Sequence, residues 1–111
     1  MNDYSPSTTA GKWWTPNGFV EGTCHHDSVV HFIVEESTQQ DNNMFLPAPV
    51  DLHVHGGGGY DCMDGDDAIR GMVAAHTRHG TGSMLATSVT APYHDITRFI
   101  DSVQRVMQAP D

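Results

Sequence analysis

Val50-Asp51-Leu52-His53-Val54-His55-Gly56-Gly57-Gly58-Gly59 decides the fold, because a strand pattern gives way there to a run that no strand interior sustains. Successive side chains of an extended chain point to opposite faces. Asp51, His53 and His55 therefore share one face, and Val50, Leu52 and Val54 share the other. The stretch reads as a buried strand with one polar and one apolar face. Two imidazoles one strand repeat apart can converge on a single cation at about 2.0–2.1 Å. The four glycines let the backbone turn sharply and leave open space beside such an ion. They can also be read as a phosphate-binding nest. However, no Gly-Lys-Ser/Thr ending follows, and the continuation Tyr60-Asp61 does not fit the dinucleotide fingerprint.

Downstream, Asp64-Gly65-Asp66 offers helix-start candidates, and Ile69, Met72, Val73 and His76 fall at helical spacing up to a stop at Gly80. This predicts an amphipathic helix over 66–79. Ser83 to Val89 reads as a second strand between Gly82 and Pro92. Pro92 suits a helix start, and Ile96, Phe99, Ile100, Val103 and Met107 form an apolar stripe through a last helix. The order β-α-β-α gives an α/β fold with parallel strands and crossover helices, either an open doubly wound sheet or part of a barrel. In such folds the working site lies at the carboxyl ends of the strands, where His53 and His55 fall. Asp51 either orients a ligating histidine or makes a structural hydrogen bond near the strand start.

Upstream, Phe45-Leu46-Pro47 leads into the central strand, preceded by a polar loop over Ser37 to Asn43. Between Lys12 and Glu36, short apolar runs around a Pro16-Asn17-Gly18 turn read as two or three strands of a small β unit. Residues 1–11 read as a mobile tail. The expected divisions are thus 1–11, 12–46 and 47–111.

Composition limits the function. The chain has 111 residues, with 14 acidic against 5 basic and a formal net charge of −9, which excludes a general nucleic-acid-binding surface. No apolar run approaches the roughly 18 residues of a membrane span, and the N-terminus lacks a basic start and an apolar signal region. A cytoplasmic protein without a membrane partner is expected. Cys24 and Cys62 are expected to be reduced.

Other histidines have ordinary readings. A crossover helix runs back along its strand, so the last turn, with His76 and His79, should lie away from His53 and His55; their charge suits a helix C-terminus. Cys24, His25, His26 and His31 cluster in sequence, but His25 and His26 point to opposite faces of a strand. His94 opens the last helix facing solvent. Thr87, Ser88 and Thr90 either line the pocket or finish the strand.

Leu46-Pro47-Ala48-Pro49-Val50-Asp51-Leu52-His53-Val54-His55-Gly56-Gly57 resembles the first barrel strand of the amidohydrolase superfamily. HGGGGYDCMDG at 55–65, AAHTRHGTGSMLATSVTAP at 74–92 and TPNGFVEG at 15–22 resemble segments of the N-acetylglucosamine-6-phosphate deacetylases within it. The resemblance runs from Trp14 to Met107. It implies the first two βα units of a (β/α)8 barrel, preceded by part of a small β-sandwich. It implies a hydrolase of amino-sugar catabolism that releases acetate from N-acetylglucosamine 6-phosphate. It also implies a divalent metal, zinc foremost with iron or another ion compatible, on His53 and His55, and a homo-oligomer for the complete enzyme. The family commonly reads Pro-Gly-aromatic or aliphatic-Ile/Val-Asp before the histidines, and this sequence departs from it with Ala48 and Pro49; it departs again at Gly82, where threonine is usual. A barrel takes about 250 residues. The later metal ligands, the catalytic base and the sugar-phosphate contacts are accordingly expected beyond Asp111, and the chain alone is expected to be an inactive N-terminal fragment. Two alternatives are an amidohydrolase acting on a cyclic amide, and a non-catalytic metal-binding module using His53 and His55 with Cys62 or His25.

Overall fold

The computed structural model describes residues 7–27, 29–35 and 43–109. The chain forms two compact units, 1–47 and 48–111.

In the first unit, β1 (Ser7–Thr15), β2 (Gly18–His26), β3 (Val30–Glu35) and β4 (Met44–Phe45) form one sheet in the order β3-β2-β1-β4. β1 and β2 make a hairpin across the two residues Pro16 and Asn17, with Thr15 opposite Gly18. The Thr15 hydroxyl donates to the Gly18 carbonyl at 2.7 Å and closes the turn. β4 joins β1 in parallel, which places Phe45 beside Trp13 with the rings stacked at 4.1 Å. Cys24 is fully buried. The tail expected over 1–11 is corrected at Ser7–Gly11, which pair with β2 along their whole length. The remainder of that tail, residues 1–6, lies outside the described residues, as do residues 37–42 of the expected loop.

In the second unit, β5 (Val50–Val54) is followed by a short hairpin of β6 (Gly56–Gly57) and β7 (Tyr60–Asp61), then by a 3-10 turn at Cys62–Asp64. Next come α1 (Asp66–Thr77), β8 (Ser83–Ala86) and α2 (Tyr93–Gln108). β5 and β8 pair in parallel, as strands joined through a crossover helix must. Asp66 meets Arg105 and Arg70 meets the Ala109 carbonyl, so the two helices run in the same direction. Gly58 and Gly59 have φ of +63° and +89°, the pair of positive values that a tight two-residue hairpin turn demands. This is the local reason for the glycine run. α1 stops two residues earlier than expected, in a paired cap: Gly80 N–H donates to the Thr77 carbonyl and Thr81 N–H to that of His76, with Gly80 at φ +94°.

The core lies between the helices and the ends of the two strands. Val54, Cys62, Ile69, Met72 and Phe99 are buried, with Met63, Met84, Ala86, Val103 and Val106 packed around them. Two expectations are corrected here. Only Val54 of the apolar face of β5 is buried, whereas Val50 and Leu52 are 57% and 70% exposed. Val50 and Asp51 pair edgewise with β8, but of β5 only Val54 enters the buried cluster formed with the helices. The inner stripe of α2 runs through Phe99, Ser102, Val103 and Val106, leaving Ile100 and Met107 exposed. Ser102 is tolerated inside because its hydroxyl accepts a hydrogen bond from the Arg105 guanidinium at 2.9 Å. The second strand ends at Ala86, three residues short of its expected end at Val89.

Candidate metal centre

His53 is in β5 and His55 directly follows it, at the carboxyl end of the strand. Their rings meet edge to face with centroids 4.7 Å apart, and the two Nε2 atoms are 3.0 Å apart. Both side chains are exposed, so the pair opens to solvent.

The orientation of His55 is fixed from behind. Its Nδ1 lies 2.8 Å from the Thr87 carbonyl oxygen. A carbonyl only accepts, so Nδ1 carries the proton and Nε2 of the neutral ring keeps its lone pair. The same carbonyl accepts the Cys62 thiol at 3.2 Å, and the Cys62 N–H donates to the His55 carbonyl at 2.9 Å. Thr87 N–H in turn donates to the Val54 carbonyl at 2.8 Å, which ties the end of β8 to the strand that carries the histidines. Burial pushes the Cys62 thiol above its ordinary pKa, and Asp61 adds to the effect, so the group stays a neutral donor. Asp51 takes the structural role: its carboxylate accepts the backbone N–H of His53 at 3.1 Å.

These residues fit one side of a metal site. Two nitrogens bound to a tetrahedral zinc at about 2.0–2.1 Å lie about 3.3 Å apart, close to the 3.0 Å found. Among the described residues no third His, Cys, Asp or Glu joins the pair. Cys62, one third ligand considered, turns instead to Thr87.

His76 corrects an expectation. Rather than lying away from the pair, its Nε2 donates to the carbonyl of Gly56, the residue after His55, at 3.1 Å. The glycine hairpin folds along α1 and brings that carbonyl to the last helical turn. His76 therefore anchors the hairpin and does not point at His53. The upstream histidines are engaged in their own unit: His26 Nε2 lies 2.8 Å from the Thr9 hydroxyl and His31 Nε2 3.2 Å from Asp27. His94 is exposed at the start of α2 beside Asp95. The role of Thr87 belongs to its backbone carbonyl, which no side-chain identity signals.

No protein-family model matches the chain. An N-acetylgalactosamine-6-phosphate deacetylase of Escherichia coli O157:H7 is 45% identical over 60 residues, which are 53% of this chain and 16% of that protein. About half of this chain is similar to an amino-sugar-phosphate deacetylase. An N-acetylglucosamine-6-phosphate deacetylase of Bacillus subtilis (strain 168) is 33% identical over 58 residues, 51% of this chain and 15% of that protein. The matched segment spans about a sixth of the length of each of these curated relatives. Among the described residues no helix is long and apolar enough to cross a membrane.

Proposed function

We propose that this chain contributes the first two βα units of a (β/α)8 metal-dependent deacetylase, with His53 and His55 forming one side of its metal site. The substrate is an N-acetylated amino-sugar 6-phosphate: N-acetylglucosamine 6-phosphate, or its 4-epimer, N-acetylgalactosamine 6-phosphate, which the name of the 45% identical relative carries. The observation that supports the reading best is the convergence of the two Nε2 atoms at the carboxyl end of β5, with His55 held in the ligating tautomer by the Thr87 carbonyl.

A divalent ion, zinc foremost, would supply Lewis acidity that activates water and polarises the acetamide carbonyl. The chain's own residues do the positioning. His55 presents Nε2 with its lone pair free. With His55 Nε2 as acceptor, the 3.0 Å contact has the neutral His53 ring donating from its Nε2, and to hold an ion by that atom His53 would carry its proton on Nδ1 instead. Solvent exposure of both rings leaves their outer side open to substrate. Asp51 is not the base, because its carboxylate is engaged with the backbone of its own strand.

The test is a chimera in which residues 48–111 of this chain replace the first two βα units of the E. coli relative, assayed for acetate release from both sugar phosphates. Activity that is retained, and lost on His53→Ala or His55→Ala, supports the reading; activity indifferent to both substitutions rejects it. With two ligands and no base among the described residues, the chain alone is expected to release no acetate.

A further inference from the structure

A shallow cavity of about 380 Å³ lies between the glycine hairpin and the last turn of α1, lined by Gly57, Gly58, Ala75, His76, Arg78 and His79. In a chain of net charge −9, none of these lining residues is acidic. Arg78 is also exceptional among the described Lys and Arg side chains. Lys12 pairs with Glu21, Arg98 with Asp95 and Arg105 with Asp66, and Arg70 donates to the Ala109 carbonyl, whereas Arg78 has no side-chain partner among the described residues. The His76 ring is fixed in place by its bond to Gly56, and the His79 ring is exposed beside it.

A helix C-terminus ordinarily repels anions through its unpaired carbonyls. Here the carbonyls of Ala74, His76 and Thr77 are already engaged by the N–H groups of Arg78, His79, Thr81 and Gly80. Gly57 and Gly58 close the opposite wall: a Cβ at Gly57 would strike the His76 ring and one at Gly58 the Ala75 methyl, so only glycine lets the hairpin pack this closely on α1. We propose that this cavity binds a phosphate group, either as free inorganic phosphate or as the end of a phosphate monoester. The Arg78 guanidinium supplies paired charge-assisted hydrogen bonds and His79 supplies a further donor. This site is separate from the His53–His55 pair and does not depend on it.

The experiment is an NMR titration of the full chain with inorganic phosphate, and in parallel with glycerol 3-phosphate, against chloride at matched ionic strength. The amide signals of Gly57, Gly58, Arg78 and His79 are followed. Saturable shifts at these residues with phosphate but not with chloride are expected at millimolar concentration. Arg78→Ala should weaken binding at least about tenfold, through loss of its paired charge-assisted contacts, with Arg78→Lys falling between. A His53→Ala/His55→Ala double variant should bind phosphate as the parent does, which keeps this proposal distinguishable from failure of the deacetylase reading. Similar affinity for both probes would identify the phosphate group itself as the recognised unit; binding of inorganic phosphate alone would restrict the site to the free ion. Shifts reproduced by chloride, shifts unchanged in Arg78→Ala, or no shifts at all would overturn the proposal.

Discussion

The second unit contains two pairs of histidines, and only one of them converges. His53 and His55 are two apart on a strand, share a face, and bring their Nε2 atoms to 3.0 Å. His76 and His79 are three apart at the end of a helix, a spacing that can also serve a metal. There the first ring is captured by the Gly56 carbonyl and the second is left in an open cavity beside Arg78. What separates the pairs is the partner of each ring's other atoms. The Thr87 carbonyl holds His55 through Nδ1 and leaves Nε2 available, whereas the Gly56 carbonyl takes Nε2 of His76 itself. The first pair converges with the geometry proposed above for a cation; in the second, His76 holds a hairpin against a helix.

The largest expected effect follows from this contrast. Removing outer partners of a metal ligand commonly costs 10–100-fold in affinity, so removing a ligand should cost at least about 100-fold. We expect His53→Ala and His55→Ala each to reduce zinc affinity by that amount in calorimetry. His76→Ala/His79→Ala should leave it within about twofold, since neither ring reaches the pair and additivity holds for independent sites. A loss in His76→Ala/His79→Ala comparable to that in His53→Ala or His55→Ala would break the distinction.

Much of this was legible in the sequence, for a physical reason. The alternation from Val50 to Val54 and the helical spacing from Ile69 to His76 depend on local periodicity, and β5 and α1 are found there. The stop at Gly80 was readable because only a residue tolerant of positive φ suits that cap. What was not legible depends on contacts between distant segments. The Thr87 carbonyl meets His55 across 32 residues of chain, and being backbone it leaves no mark in residue type. The Gly56–His76 bond could not be placed because the run of four glycines announces a turn without giving the direction in which the hairpin folds. The inner stripe of α2 is hidden in the sequence because Ser102 is polar by type and is buried only with its hydroxyl satisfied by Arg105.

A smaller effect tests the second half of the comparison. His76→Ala deletes one partly buried hydrogen bond, for which about 1 kcal/mol of stability is expected. Denaturant unfolding measures that loss, and faster hydrogen exchange at Gly57 and Tyr60 would localise it to the hairpin. If stability is unchanged and exchange in the hairpin is not accelerated, His76 does not anchor it.

The subtlest effect comes from the opposite end of α1, where neither histidine pair is involved. The Arg105 guanidinium makes paired hydrogen bonds to Asp66 at 2.8 and 2.9 Å and holds its carboxyl at a pKa of about 2, with Ser102 assisting. An unfolded aspartate titrates at about 3.9. Because the folded value is depressed, this pair's contribution to stability is present above about pH 4 and is lost as pH falls through about 2. Arg105→Ala should flatten that part of the acid-unfolding profile and leave zinc binding at neutral pH unchanged. High salt should shrink the difference between parent and variant, since the pair is exposed and screened. An acid profile as steep in Arg105→Ala as in the parent would mean that other carboxylates govern acid unfolding, and that the clamp between the two helices contributes nothing measurable to it.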